Sequence, residues 1–433
     1  MNSTRTAVRA TLVSLVVAGL LAGGGALYVR RDLSIARRLL ERGEHREAAK
    51  RLQRYLRLYR GDSRARLMLA EALVADDDRP AEDAARDAVA QLERIPDSSP
   101  EGAEARTRTG RLLFLILLRP GQAEPLFRRA IELAPDALDA HLMLWNLLNV
   151  TGRFHLTQPV FWRVYELNSE SERPIRLRDW YLSEFGRGSA FAELDRKLGV
   201  LAKKDNPSLV SEYDRLRHIR AAEPDWPVGI AALARLLRGE GQKDVARELV
   251  QLAPPEADRD PFFLATRIEL AMDEGNFDEA AELFERWPEP HDGYEYWMWR
   301  GTIADEIRRD DAEAIAAYDE ALRSPLGDTD WQLMSRLAHC LLRAGRADES
   351  RSTRDRASQL EKLMERELHQ QLRKSFGDLR NPAAVREIID FYRDLRRDRE
   401  VAEWSAWLDR ISPAESPVSG AAPGSMENRK RNE

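Results

Sequence analysis

A small residue returns along this chain at an almost constant interval. Ala48, Ala84, Ala123, Thr157, Ala192, Ala246, Ala280, Ala314, Ser350 and Ala402 stand 36, 39, 34, 35, 54, 34, 34, 36 and 52 residues apart. Around several of them the same local pattern recurs. Gly275-Asn276-Phe277-Asp278-Glu279-Ala280 is followed by Phe284, Gly43-Glu44-His45-Arg46-Glu47-Ala48 by Leu52, and Gly345-Arg346-Ala347-Asp348-Glu349-Ser350 repeats the opening. The glycine suits the left-handed turn that ends one helix, the small residue lets the next helix approach closely, and the large apolar residue fills the gap between them. Apolar residues recur at three- and four-residue spacing from Asp32 onward, and Gly and Pro punctuate helices of about 12–16 residues. A period of this length constrains the fold more than any other feature. One helix pair cannot bury its apolar face alone, so neighbouring pairs must stack.

The same residues carry a family likeness. Trp297 and Gly301 on one helix, then Ala314, Tyr318 and Ala321 on the next, and Ala123, Phe127, Ala130 and Pro135 in another unit, resemble the tetratricopeptide repeat pattern; Ala280, Phe284, Trp287 and Pro288 form a third match. The resemblance covers about Asp32–Ile411. It implies an all-α fold, a right-handed α-solenoid of tetratricopeptide-like repeats with a concave face, following one N-terminal transmembrane helix. The expected organisation is a basic tail at 1–9, an apolar segment at 10–29, repeats at 32–206, an irregular extra helix at 207–227, repeats at 228–375, a capping helix pair at 380–411 and a disordered tail at 412–433. The two long intervals call for extra helices at Pro207–Ala222 and Ala357–Ser375, and the stretch 173–226 fits the pattern poorly. Trp404 and Trp407 are expected to pack on the preceding unit.

Ala10–Val29 is a charge-free run of 20 residues flanked by Arg5, Arg9, Arg30 and Arg31. That length spans a bilayer as a helix. A single-pass anchor, in a bacterial inner membrane given 60 Arg against 8 Lys, is the leading reading. A signal peptide cleaved near Ala26, which would release an envelope-assembly factor, is the alternative. Flanking charge places the repeats in the cytoplasm and the signal-like start exports them, so the sequence leaves the side open.

No catalytic constellation is present. Cys340 is the one cysteine and lies in an apolar helix, no two of the seven histidines are three or four apart, and there is no GxxxxGK or GxSxG. The expectation is a protein that is not an enzyme, with no cofactor, no metal and no small-molecule substrate. A net charge of −6 gives no support for nucleic-acid binding.

Charge is distributed unevenly. Arg30–Arg66 holds thirteen Lys/Arg against five Asp/Glu, and Glu256–Asp330 holds twenty-two Asp/Glu against seven Arg. Beside a membrane, Arg46, Lys50, Arg54 and Arg57 form a candidate lipid-facing patch. In the acidic block, the positions that line the inner groove of the resembled family are Phe262, Ala265, Glu269, Met272 and Asp273, then Glu295, Met298, Thr302, Asp305 and Glu306. The resemblance therefore implies a groove for a protein or peptide partner with basic and apolar side chains.

Overall fold

The computed structural model describes residues 31–185, 212–325 and 327–412. Among these the chain is entirely helical, and its helices come in antiparallel-style pairs joined by short turns. The first is α1 (31–41), paired with α2 (His45–Leu58). Then come α3 (Ser63–Val74) with α4 (Ala81–Leu92), α5 (Gly102–Leu115) with α6 (Pro120–Leu133), and α7 (Leu138–Val150) with α8 (Thr157–Leu167). The next two, α9 (Arg173–Phe185) and α10 (Glu212–Ala222), flank the undescribed stretch. The second half begins with α11 (Pro227–Gly239) and α12 (Lys243–Gln251), α13 (Pro261–Asp273) and α14 (Phe277–Phe284), and α15 (Tyr294–Ile303) and α16 (Asp311–Arg323). It ends with α17 (Trp331–Arg343) and α18 (Ala347–Leu363), α19 (Arg366–Gly377), and α20 (Pro382–Leu395) with α21 (Asp398–Ile411). Ala10–Val29, the cleavage site near Ala26 and residues 413–433 lie outside the described residues. Among the described residues no helix is long and apolar enough to cross a membrane.

Local chemistry sets the helix boundaries. Carboxylates of Asp62, Asp260, Asp310 and Asp330 accept from the backbone N–H three residues on, at 2.8–3.0 Å, which fixes the starts of α3, α13, α16 and α17. Gly43, Gly275 and Gly345 have φ of 75°, 75° and 79°, the left-handed turn read from the sequence. The small anchors Ala48, Ala123, Ala246, Ala280 and Ala314 are completely buried. Ser350 is buried too, because its hydroxyl donates to the Ala338 carbonyl at 2.7 Å. Close approach of paired helices is enforced by glycine facing an aromatic ring. A Cβ on Gly110 would lie 2.5 Å from Phe127, and one on Gly301 would lie 2.4 Å from Tyr318.

One anchor does not fit: Ala402 is exposed, the buried positions on α21 being Glu400 and Trp404. Ala192 lies outside the described residues. Of the extra helix expected at 207–222, the described part is α10. At 357–375 the chain instead lengthens α18 to 17 residues and then adds α19.

The larger departure is long-range. α10–α13 pack against α5–α7, with Ile219, Ile230 and Phe263 sharing a core with Phe127, Leu147 and Leu148. At that joint the Glu223 carboxylate accepts from the Gly121 and Gln122 backbone N–H groups at 2.7 and 3.0 Å, at the start of α6. The last helices then return to the middle of the chain. Trp404, Phe376, Phe391 and Tyr392 share a core with Phe161, Trp180 and Tyr181 of α8 and α9. Trp404 does meet Phe376 of the preceding unit, and the Trp407 indole donates to the Leu379 carbonyl at 2.8 Å, but the pair also seals against α8–α9. Helices α7 to α21 therefore close into a ring, in place of the open stack the periodicity implies. The described ends of the poorly matching stretch, α9 and α10, lie at its crossing: α9 takes the last helices and α10 takes α6–α7.

Candidate partner-binding site

Among the described residues, two concave surfaces lie on faces that a partner could reach. One is a groove of about 780 Å³ along α3, α5 and α7. Its lining is largely small and apolar, with Ala70, Ala103, Ala134 and Ala137 beside Val74, Leu112 and Leu138. Small lining residues leave room for large side chains of an occupant. At its rim, Arg108 pairs with Glu71 at 3.4 Å and Glu104 at 2.6 Å, and Arg111 with Asp139 at 3.3 Å. The sequence reading did not find this groove. Its signal was alanine at Ala70 and Ala103 on α3 and α5 and at Ala134 and Ala137 in the turn before α7, which reads equally well as core.

The other is a chamber of about 850 Å³ in the middle of the ring, walled by the end of α7, the end of α9, and α11, α13, α15 and α17. Here the structure brings together Phe262, Glu269 and Glu295 of the expected groove. It also places there two arginines the sequence reading did not anticipate. Arg235 donates to Glu295 at 2.5 Å and lies 3.4 Å from Glu269 and 4.2 Å over the Phe262 ring. Arg238 holds Glu269 at 2.7 Å and Asp273 at 2.6 Å, and Lys243 approaches Asp273 at 3.3 Å. Burial disfavours the charge on Arg235, but Glu295 and Glu269 outweigh it and hold the guanidinium above its ordinary range. Burial raises the Glu269 carboxyl, with Arg235 and Arg238 opposing. Burial keeps His155, which also lines the chamber, below its ordinary value.

The remaining predicted residues lie elsewhere. Met272 and Met298 pack between repeats at the edge of a core with Trp299 and Ile303. Asp305 is buried, where Arg343 and the Tyr318 hydroxyl engage it, and Glu306 pairs with Arg336. The acidic block is thus not the free acidic surface expected from composition. Its carboxylates are taken up by arginines of the neighbouring helices, because stacked repeats bring charge on one unit against charge on the next. Asp305, Asp311 and Cys340 converge as metal ligands would, but the Arg343 guanidinium already sits among them, 2.5 Å from Asp311 and 3.3 Å from the Cys340 sulfur. Burial pushes that thiol up to about 12, which makes it a poor nucleophile. On α2, Arg46, Lys50, Arg54 and Arg57 are all exposed; Arg46 pairs with Asp78 at 3.5 Å, Lys50 with Glu47 at 3.4 Å and Arg54 with Asp32 at 3.5 Å.

Comparison with known proteins agrees with the helix-pair geometry. Residues 33–86 and 266–329 match the family model described as a tetratricopeptide repeat. Those two stretches, one in each half of the chain, are similar to tetratricopeptide repeats. Such repeats are protein–protein interaction scaffolds and are generally not catalytic. No curated protein sequence matches the chain. Among solved structures, it is similar to the APC/C hetero-tetramer Cut9–Hcn1 at 13% identity, over 89% of this chain and 74% of that one, with a TM-score of 0.35. It is similar to pilF of Pseudomonas aeruginosa at 15% identity, over 52% and 91%, with a TM-score of 0.25. It is also similar to the tetratricopeptide domain of P58(IPK) at 14% identity, over 78% and 99%, with a TM-score of 0.25. At these scores the likenesses carry no argument about shape or function.

Proposed function

We propose that this protein is a membrane-tethered, non-catalytic scaffold that holds a segment of a partner protein in the groove of its N-terminal repeats. The observation that carries the reading is the groove along α3, α5 and α7, with its lining of alanines and larger apolar residues. Large apolar side chains of the partner lie against the alanines, and its polar groups meet the ion pairs of Arg108 with Glu71 and Glu104 and of Arg111 with Asp139 at the rim. The acidic positions of the second half serve mainly to hold successive repeats together, since Arg235, Arg238, Arg336 and Arg343 neutralise them. The tether is Ala10–Val29, and the exposed basic face of α2 follows it closely enough to meet anionic lipid.

A photo-crosslinking residue at Ala103, expressed in the native host, tests the groove. One discrete adduct, absent when the same residue replaces exposed Val245 and lost when Leu138→Arg fills the groove, is expected. Identical adducts from both positions refute the reading. Fractionation with protease protection of a C-terminal tag tests the tether. Membrane-bound tag is expected, protection or digestion reports the side, and a soluble product shortened at Ala26 establishes the released alternative.

A further inference from the structure

Arg396, with a φ of 64°, reverses the chain between α20 and α21 and turns the following Arg397 inward. The Arg397 side chain is 4% exposed. It donates to both oxygens of Glu184 at 2.5 and 2.6 Å and to both oxygens of Asp328 at 2.8 and 2.9 Å. One guanidinium thus ties the last turn of α9, the turn that enters α17 and the start of α21.

Beside it, three buried polar groups have no hydrogen-bond partner among the described residues: Oε1 of Glu400 on α21, the Tyr392 hydroxyl on α20 and the Trp180 indole N–H on α9. These residues are 3%, 0% and 4% exposed. Buried carboxylates, phenols and indoles are nearly always bonded to something. The three groups converge. Glu400 Oε1 lies 3.9 Å from Nη1 of Arg397, beyond hydrogen-bond reach. Burial raises the Glu400 carboxyl, and Arg397 and the Trp180 indole oppose it. Burial also raises the Tyr392 hydroxyl well above its ordinary value, and Glu400 is the charge that adds most to this. One carboxylate therefore faces the guanidinium, the indole and the hydroxyl together. The ring's other long-range joint is different, because there the Glu223 carboxylate accepts directly from two backbone N–H groups.

The chemistry of the three groups selects what joins them. An indole N–H can only donate, and an ionised carboxylate can only accept. An anion has no hydrogen to give, and it would face Glu184, Asp328 and Glu400 around one guanidinium. A metal cation or an ammonium group cannot accept from the indole. A water molecule both donates and accepts, and about three hydrogen bonds to otherwise unsatisfied groups is the usual complement of a buried one.

We propose that one internal water is built into this joint, donating to Glu400, accepting from Trp180 Nε1 and bonded to the Tyr392 hydroxyl. It links α9, α20 and α21 where their polar groups do not meet directly, and it is a fixed part of the ring's closure. The inference stands apart from the groove reading, since it concerns the other end of the array.

Two measurements on the whole protein test it. In a crystal structure at about 2 Å resolution, density for a water is expected at about 2.6–3.2 Å from Glu400 Oε1, Trp180 Nε1 and the Tyr392 hydroxyl. Direct bonds among the three side chains, or no density between them, overturn the proposal. Tyr392→Phe keeps the ring and removes only the hydroxyl. If that hydroxyl bonds a water, amide exchange in α20 and α21 is expected to rise about five- to tenfold. A hydroxyl without a partner is a burden to the fold, so slower exchange in Tyr392→Phe refutes the reading. In a Glu400→Leu background, where the water has lost its acceptor, the same change is expected to have little effect. An equal effect in both backgrounds overturns the bridge.

Discussion

Gly301 offers a quantitative test of how the repeats pair. Replacing it with alanine improves the intrinsic helical preference of α15 by about 1 kcal/mol. Against this, the new Cβ lies 2.4 Å from Cδ1 and 2.6 Å from Cε1 of Tyr318, where carbon contacts normally lie at about 3.5–4.0 Å. The ring must retreat by more than an ångström, yet Tyr318 is fully buried and its hydroxyl is 3.4 Å from Asp305. Overpacking of this kind costs about 1–3 kcal/mol, so Gly301→Ala is expected to destabilise the pair by about 1 kcal/mol net of the gain in propensity. Tyr318→Leu alone leaves a cavity, and in the double variant the added methyl partly fills it. The cycle should therefore show a favourable coupling of about 1 kcal/mol or more. Because a long array need not unfold in one step, the assay is the local opening free energy from amide exchange in α15 and α16. A Gly301→Ala protein more protected by the full propensity gain, with additive effects in the double variant, refutes the close-approach argument.

The other predictions concern separate elements. Glu124 is held by Arg153 at 2.7 and 3.2 Å and by Arg128 at 2.7 Å; burial raises its carboxyl, but the two arginines outweigh burial and leave it below the ordinary range. A lowered pKa means stabilisation that is present above the unfolded glutamate value of about 4.3 and lost as pH falls through the folded value. Glu124→Gln should therefore cost about 2–3 kcal/mol near neutral pH, with the gap to wild type closing below about pH 4 in denaturation profiles. Trp404→Ala empties a fully buried site and should cost about 3–5 kcal/mol, with loss of exchange protection in α8–α9 as well as in α21. Asp260→Ala removes the bond to the Phe263 N–H at 3.0 Å, and should fray the first turn of α13 by about 1 kcal/mol, read by exchange at 262–264.

The unit was legible in the sequence and the closure was not. Gly43, Gly275 and Gly345, the buried alanines, and Gly301 against Tyr318 all follow from contacts within one helix pair, about 34 residues apart at most. A period in sequence reports such contacts directly. The joint of Tyr181 with Phe376 and His369 spans nearly two hundred residues, and nothing in the period of either segment points to the other. Ala402 misled because it has the right size and was reached by allowing an extra helix within a 52-residue interval, whereas α21 turns Glu400 and Trp404 inward toward a surface outside its own repeat. The acidic block was visible as composition, but its role depends on partners. Arg235 and Arg238 look like solvated helix residues until α11 is set beside α13. The apolar groove along α3, α5 and α7 escaped notice because an alanine looks the same whether a neighbouring helix or an unfilled hollow lies over it.

Closure also bears on how this chain can change in length. An open stack accepts or loses a whole repeat with little penalty, because one more identical step only moves the end. In a ring, a helix pair inserted between α13 and α17 displaces α21 along its arc and carries Arg397 past Glu184 and Asp328. The number of helices between α10 and α21 is therefore fixed by the requirement that the last one arrive where the ninth is waiting, and whole-repeat gain or loss is confined to the arm formed by α1–α4, ahead of the joint that α5–α7 make with α10–α13.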